Sequence, residues 1–502
     1  MNSELIILFI WYSLIPISIV GYGLFFQKII LKDIVNFNIG YLGLLGIFLL
    51  ILYSYLSNLF IPHSKIHNTV IIIFGLVIFF TNFFFKKIQK KQIKFFYLIL
   101  FLMFVSILIF KNHDDFEYYH FPYTYLLTQN DLIIGIGNFG HGFRTQSSIF
   151  YLNSLFYLPL VDYYLFNLGA VLILFFSNLI FINYIFENYS IKNFQFEKIY
   201  LKYLCLLSFI FVNIFFYRIS EHGTDRSSQI LIFILLIEVI YFLNLKKVLQ
   251  KRLINIYLLC ALVISFKPFY LLYLLIFLPL FIHVMRNKKK FYGSIIFFIK
   301  QKFFFIFSLF ITIVLITNIF NTGCLVYPIY FTCIENFSWS IPIDQVKQMN
   351  NWYELWSKAG ATPNFRVLNP DEYILNLNWV SNWFNNYFFT KVSDLLVGLL
   401  FLSSLVFILF NKNSKKKLNN LKYFKVLYIL IFILFMEWFF NHPALRYGGY
   451  VLFALFFFLP LTYKLNLSSI KPKSFISKSL ILIIITISIF IIRNSLRIND
   501  EY

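Results

Sequence analysis

Leu5-Ile6-Ile7-Leu8-Phe9-Ile10-Trp11-Tyr12-Ser13-Leu14-Ile15-Pro16-Ile17-Ser18-Ile19-Val20-Gly21-Tyr22-Gly23-Leu24-Phe25-Phe26 runs for 22 residues without a charge. An α-helix rises about 1.5 Å per residue, so roughly 20 such residues cross the ~30 Å hydrocarbon layer of a bilayer. The stretches Ile39 to Ile61 and Leu480 to Ile492 read the same way. A transmembrane barrel would instead show ~10-residue segments that alternate apolar and polar side chains, a pattern foreign to these runs. The expected class is an all-α polytopic membrane protein. The first run has no basic segment before it and no small-residue cleavage site after it, so it is expected to stay as the first helix.

Composition extends the same reading. Hydrophobic residues make up 60% of the 502 and charged residues 13%, against about 25% charged in soluble domains. Lys and Arg number 43 and Asp and Glu 21, a formal charge of +22 that in a soluble chain would raise the question of nucleic acid. Placement answers it. The cations cluster at Lys86 to Lys94, Lys246 to Arg252, Arg286 to Lys302, Lys412 to Lys425 and Lys464 to Lys478, each between apolar runs, as cytoplasmic loops do. Membrane lipids, and no nucleic acid, are the expected partners of these charges.

With those clusters as inside markers the chain is predicted to cross about fourteen times, near 4–26, 38–61, 67–85, 95–110, 162–186, 200–217, 227–245, 253–266, 268–285, 303–320, 394–411, 425–440, 447–463 and 476–492. Both ends then lie outside. Four segments follow: N-terminal helices 1–93, a core 94–320 with its first external loop at 111–145, an external segment 321–393 and C-terminal helices 394–502. Residues 146–160 are too few to cross, and with Asn153 and Pro159 they predict an interfacial or re-entrant helix. Pro268 breaks the pair 253–266 and 268–285. The long external segment carries Trp339, Trp352, Trp356, Trp379 and Trp383, whose rings favour the headgroup zone; it is expected to lie on the membrane as amphipathic helices and to form a lid. Cys324 and Cys333 share a polar loop, where an oxidising compartment would permit a bridge.

The densest chemistry is His113-Asp114-Asp115-Phe116-Glu117-Tyr118-Tyr119-His120-Phe121-Pro122. On an α-helix Asp114, Glu117 and His120 fall at three-residue spacing on one face, with Asp114 at a cap position. Carboxylates so close repel one another unless a proton or a divalent cation compensates them, and Asp115 with Glu117 offers oxygen ligands suited to Mg²⁺ or Mn²⁺. The plainer alternative is a solvated helix cap. A second cluster, Arg218-Ile219-Ser220-Glu221-His222-Gly223-Thr224-Asp225-Arg226, packs five ionisable groups into a turn. Arg forks match phosphate oxygens, and Glu221, His222 and Asp225 suit ligands or proton carriers; an internal salt-bridge network is the alternative. Lys267 and Arg446 are single cations at external helix ends and candidates for a lipid phosphate. Gly135-Ile136-Gly137-Asn138-Phe139-Gly140 matches a dinucleotide fingerprint but lacks the surrounding βαβ unit. Its glycines are expected to turn the chain so that Asn138, His141 and Arg144 return toward the acidic cluster.

Together these motifs resemble the GT-C class of integral-membrane glycosyltransferases, in which an acidic motif lies in the first external loop and an amphipathic helix follows. Asp114-Asp115-Phe116-Glu117 with Tyr118 to Leu127, Ser265-Phe266-Lys267-Pro268, and Pro443 to Tyr447 carry the likeness, over roughly Lys94 to Phe320. The chain departs from it by placing three spans before the acidic loop, where many of the class have one, and by having no large soluble C-terminal domain. The resemblance implies a GT-C-like bundle of about 12–14 helices with external amphipathic helices. It implies inverting transfer of a sugar from a polyprenyl-phosphate donor to a glycan, lipid or protein acceptor. The active face would be the periplasmic side of a bacterial inner membrane. Asp114, Asp115 and Glu117 then form the catalytic group, with Asp114 or Asp115 as general base. His120, Arg144, Glu221, His222, Asp225, Arg226, Lys267 and Arg446 would bind substrate and its phosphate.

Two other readings compete. A polysaccharide polymerase or ligase would place its key groups in the long loop, around Arg366 and Asp371. A lipid or solute transporter would carry ionisable residues at mid-membrane, for which Glu238 is a candidate.

Overall fold

A computed structural model describes residues 3–32, 37–83, 90–109, 113–186, 199–221, 223–244, 250–288, 291–362, 367–412, 424–466 and 470–501. A helical segment lies over each of the fourteen apolar runs. Among the described residues nine helices are long and apolar enough to cross a membrane, four shorter ones are apolar, and no strand occurs. The chain is an all-α polytopic membrane protein. The stretch between Arg286 and Lys302, read above as a loop, also holds a helix at Phe291–Ile299. Its nine residues are too few to cross.

Burial separates centre from rim. In the apolar stretches of Leu168–Phe186 and Gly223–Leu243 94% of the residues are buried inside the protein, whereas in those of Lys65–Asn82, Lys302–Thr322 and Val380–Phe410 only 28% are. Between helices in lipid the hydrophobic effect gives no drive, so close backbone approach through small residues does the packing. A Cβ on Gly21 would sit 2.0 Å from the Gly75 carbonyl oxygen, and one on Gly46 would sit 1.9 Å from that of Ile19. These contacts bind Ser3–Phe25, Ile39–Asn58 and Lys65–Phe83 into one unit. Contacts then cross from this unit to the core: the Tyr41 hydroxyl donates to Glu238 Oε1 at 2.6 Å and Ser54 Oγ donates to the Tyr151 carbonyl at 2.7 Å.

Glu238 is fully buried, and Arg252 Nη1 lies 3.3 Å from its Oε2 while Tyr184 donates to its Oε1. A charge paired and hydrogen-bonded in this way ties four helices together, which is a structural use of the residue that the transporter reading singled out.

The short segment after the first loop is a helix at Ser148–Ser154, all of it buried. Asn153 Oδ1 accepts the Gly169 N–H at 2.9 Å and Ser147 Oγ donates to the Phe266 carbonyl at 2.7 Å. Irregular backbone survives at this depth because protein groups satisfy it. At the other predicted break, Lys267 is extended (φ −154°, ψ 119°) and a 3-10 stretch, Pro268–Ile276, follows.

The segment 321–393 contains the helix Ile343–Lys358 and a disulfide between Cys324 and Cys333. The tryptophans need a correction. Trp379 and Trp383 are 0% and 2% exposed, packed on Phe439 and Trp438. Their indoles find protein partners, Trp383 Nε1 donating to the Pro443 carbonyl at 2.9 Å, so they are core rings and not headgroup anchors. Trp352, 44% exposed, is the one on the surface of that helix.

Candidate active site

The acidic motif does not form a regular α-helix. After Asp114 and Asp115 the backbone widens into a π-turn at Phe116–His120, where Phe121 N–H bonds to the Phe116 carbonyl. An i→i+5 turn regroups side chains. Asp114 and Glu117 become exposed, while Asp115 and His120 turn inward. The three-residue stripe expected from a 3.6-residue period is therefore replaced by a five-residue pair.

Asp115 meets Arg446, whose Nη2 donates to its Oδ2 at 2.8 Å. The Nε of the same guanidinium donates to Asp225 Oδ2 at 2.9 Å, and the other Asp225 oxygen accepts from Lys267 Nζ. Four ionised groups from four separate segments thus alternate in sign: Asp115, Arg446, Asp225, Lys267. Both cations face aromatic rings, Arg446 over Trp356 at 5.6 Å and Lys267 over Tyr447 at 4.7 Å. Trp356 brings the Ile343–Lys358 helix against the cluster.

The backbone that presents Arg446 is held on several sides. Trp383 and Trp438 donate to the carbonyls of Pro443 and Ala444, the Tyr387 hydroxyl accepts the Leu445 N–H at 2.8 Å, and Gln229 Nε2 donates to the Arg446 carbonyl at 3.0 Å. Gln229 stands one helical turn beyond Asp225, on the same face.

Burial penalises the charge on Asp115, but Arg446, aided by His113 and His120, more than offsets this and holds the carboxyl below its usual range. Burial and Arg446 lower the Lys267 ammonium against the pull of Asp225. For Arg446 burial opposes the charge, yet Asp225, Tyr447 and Asp115 raise its pKa well above the ordinary value. Burial brings His120 down to about 4, which leaves it neutral at pH 7, and its Nε2 has no hydrogen-bond partner among the described residues.

Burial also lowers other histidines outside the spans, among them His442 to about 4 and His63 to about 3. All three fall below the free value of 6.5, so their contribution is whole above pH 6.5 and is lost as pH falls toward 4. At pH 5 the loss is on the order of 1–2 kcal/mol per histidine. Thermal unfolding in detergent is expected to show falling stability from pH 6.5 to 4, and His63→Asn with His442→Asn should flatten that slope. A slope unchanged by both substitutions would place the acid sensitivity elsewhere.

The other expected site residues go elsewhere. Arg144 donates to the Gly137 carbonyl at 3.2 Å, to the Tyr327 hydroxyl at 3.4 Å and to Gln345 Oε1 at 3.3 Å, and Asn138 donates to the Trp339 carbonyl at 2.9 Å. The glycine turn does come back under Tyr119 through Gly142. Its polar side chains, however, staple the loop to the segment 321–393, which supplies the Trp339, Tyr327 and Gln345 acceptors, and His141 is exposed. Glu221, 1% exposed, is shared by Arg218, with Nε at 2.9 Å, and Arg497. It is the salt-bridge alternative realised. Arg226 is stacked between Phe216 at 4.4 Å and Tyr450 at 4.0 Å, with Nη1 buried and without a hydrogen bond. His222 and Arg366 lie outside the described residues, and Asp371 is exposed.

The residues suggested for Mg²⁺ or Mn²⁺ do not fit a cation as they stand. Arg446 occupies the Asp115 oxygen and Glu117 points to solvent. Among the described residues no three His, Cys, Asp or Glu side chains converge as ligands.

The family model described as Domain of unknown function (DUF8201) matches residues 5–453. The chain belongs to the DUF8201 family. No curated protein and no solved structure matches it. All four members of the charge chain lie inside the DUF8201 match, as do Trp356 and Tyr447. The helix Pro472–Glu501 lies beyond the DUF8201 match, yet its Arg497 reaches Glu221, and Arg493 Nη1 donates to the Ile214 carbonyl at 2.8 Å.

Proposed function

We propose that the chain is a membrane glycosyltransferase that moves a sugar, with inversion, from a polyprenyl-phosphate donor to an acceptor hydroxyl on the non-cytoplasmic face, in a bacterial inner membrane. One observation carries the reading: Asp115, Asp225, Lys267 and Arg446, widely separated in sequence, converge on one ionised cluster beside helix ends and beneath Trp356. A structural turn needs no such convergence, whereas phosphoryl leaving groups need fixed cations and a hydroxyl nucleophile needs a base.

In this reading Arg446 and Lys267 hold the phosphate. Asp115, ionised at pH 7, takes the proton of the acceptor hydroxyl. The acceptor oxygen bonds to the anomeric carbon from the face opposite the phosphate, the bond from that carbon to the phosphate oxygen breaks, and its electron pair leaves with the polyprenyl phosphate. Asp225 keeps both cations in place. Neutral His120 lies beside Asp115 with a free nitrogen, placed to orient a hydroxyl.

The test is a donor screen with the purified full chain in nanodiscs. Polyprenyl-phosphate and polyprenyl-diphosphate sugars are offered with Mg²⁺, with Mn²⁺ and with EDTA, and release of the lipid phosphate is followed. Turnover that disappears in Arg446→Ala is the expected result. Turnover of nucleotide sugars but of no lipid-linked sugar would overturn the reading.

A further inference from the structure

The cluster is neutral as it stands, two carboxylates against two cations, and its guanidinium is already divided between Asp115 and Asp225. A donor phosphate that approaches Arg446 along either of these two edges competes with the carboxylate already there. On that edge one carboxylate must yield.

The two are unequal. The Asp225 side chain is 7% exposed, stands on the long central helix Gly223–Leu243, and is held by both Lys267 and Arg446. The Asp115 side chain is 26% exposed and sits at the entrance of a short π-turn. Besides Arg446, the charged or titratable groups around it include His113, 3.4 Å away, and the more distant His120, Tyr119, Tyr447 and Lys267. Separating Asp225 from its cations would strand buried charge, while Asp115 can move toward solvent.

We propose that Asp115 and Arg446 form a latch that the donor phosphate opens: the phosphate replaces Asp115 on Nη2 of Arg446, and Asp115 is freed to act as base only once the donor is in place. The proposal rests on the glycosyltransferase reading and adds an order of events to it. Without donor, the base is tied through Oδ2 to a guanidinium, which weakens it toward water or acceptor. With donor bound, Asp225 still grips Arg446 through Nε, so the cation stays where the leaving group needs it.

A latch makes an unusual demand: removing the catalytic carboxylate must strengthen phosphate binding. Farnesyl phosphate is the probe, with farnesol as the uncharged control, titrated onto the full chain in phosphatidylcholine nanodiscs. Asp115→Asn and Asp115→Ser are both expected to bind farnesyl phosphate about tenfold more tightly than wild type, the worth of one lost charge-assisted competitor, with farnesol unchanged. Arg446→Ala should lose binding and Arg446→Lys should keep part of it. If wild type binds and both Asp115 variants bind equally or more weakly, the latch is wrong while the phosphate reading stands. If no form binds farnesyl phosphate better than farnesol, the phosphate reading itself falls. Discs of phosphatidylglycerol provide the last arm: binding abolished there would make an ordinary headgroup the occupant and overturn a donor-operated latch.

Discussion

Asp115→Asn is expected to lower product formation by about 10²–10⁴-fold, the range a positioned general base supplies, while the protein still inserts and elutes as a folded species. Asp114, Asp115 and Glu117 are chemically alike and lie within four residues, yet only Asp115 is turned into the cluster with Arg446. Asp114→Asn and Glu117→Gln alter exposed side chains and are expected to change the rate by about twofold or less, as surface substitutions do. Initial rates with a lipid-linked donor measure all three. Loss of activity in Asp114→Asn with activity kept in Asp115→Asn would show that the π-turn misassigns the base. Activity retained in both would remove the proposed base.

The largest effect on stability should come from Asp225. Replacing it with Ala leaves Lys267 and half of Arg446 unpaired among apolar helices, and breaking a buried pair from one side costs about 3–5 kcal/mol. Lys267→Met in the same chain removes the stranded charge, so the double variant should recover much of the loss and yield a coupling of about 0.5–3 kcal/mol. Unfolding temperatures of the four proteins in nanodiscs complete the cycle. An Asp225→Ala protein as stable as wild type would mean that the ion pairs do not hold these helices together, and the preorganisation argued for Arg446 would go with them. The double variant is expected to stay inactive, since a thioether holds no phosphate.

Some of this cluster was legible in the residues themselves. A cation beside Pro268, an arginine at the end of an apolar run and two acidic motifs in polar turns are conspicuous because ionisable groups are costly near hydrocarbon. Tyr447 was within sight, directly beside Arg446. Trp356 was not, because a tryptophan in a membrane protein reads as an interfacial ring until its neighbours are known. The choice among Asp114, Asp115 and Glu117 was hidden for a different reason: a π-turn leaves no periodic mark, and a regular helix would have selected another face.

The sequence alone determined that the chain is helical and crosses a membrane many times, because a bilayer demands long uncharged segments whose backbone groups are satisfied internally, and that demand is written residue by residue. It also determined where the breaks fall, at Pro268 and in the polar stretch that ends in Ser148–Ser154. Only the tertiary structure decided which charges meet. Arg446 finds Asp115 from 331 positions away and Asp225 from 221, whereas Glu221, four residues before Asp225, is taken by Arg497 instead. Partners at such separations are chosen by how helices pack, and packing depends on the complementarity of whole surfaces, which no local pattern records.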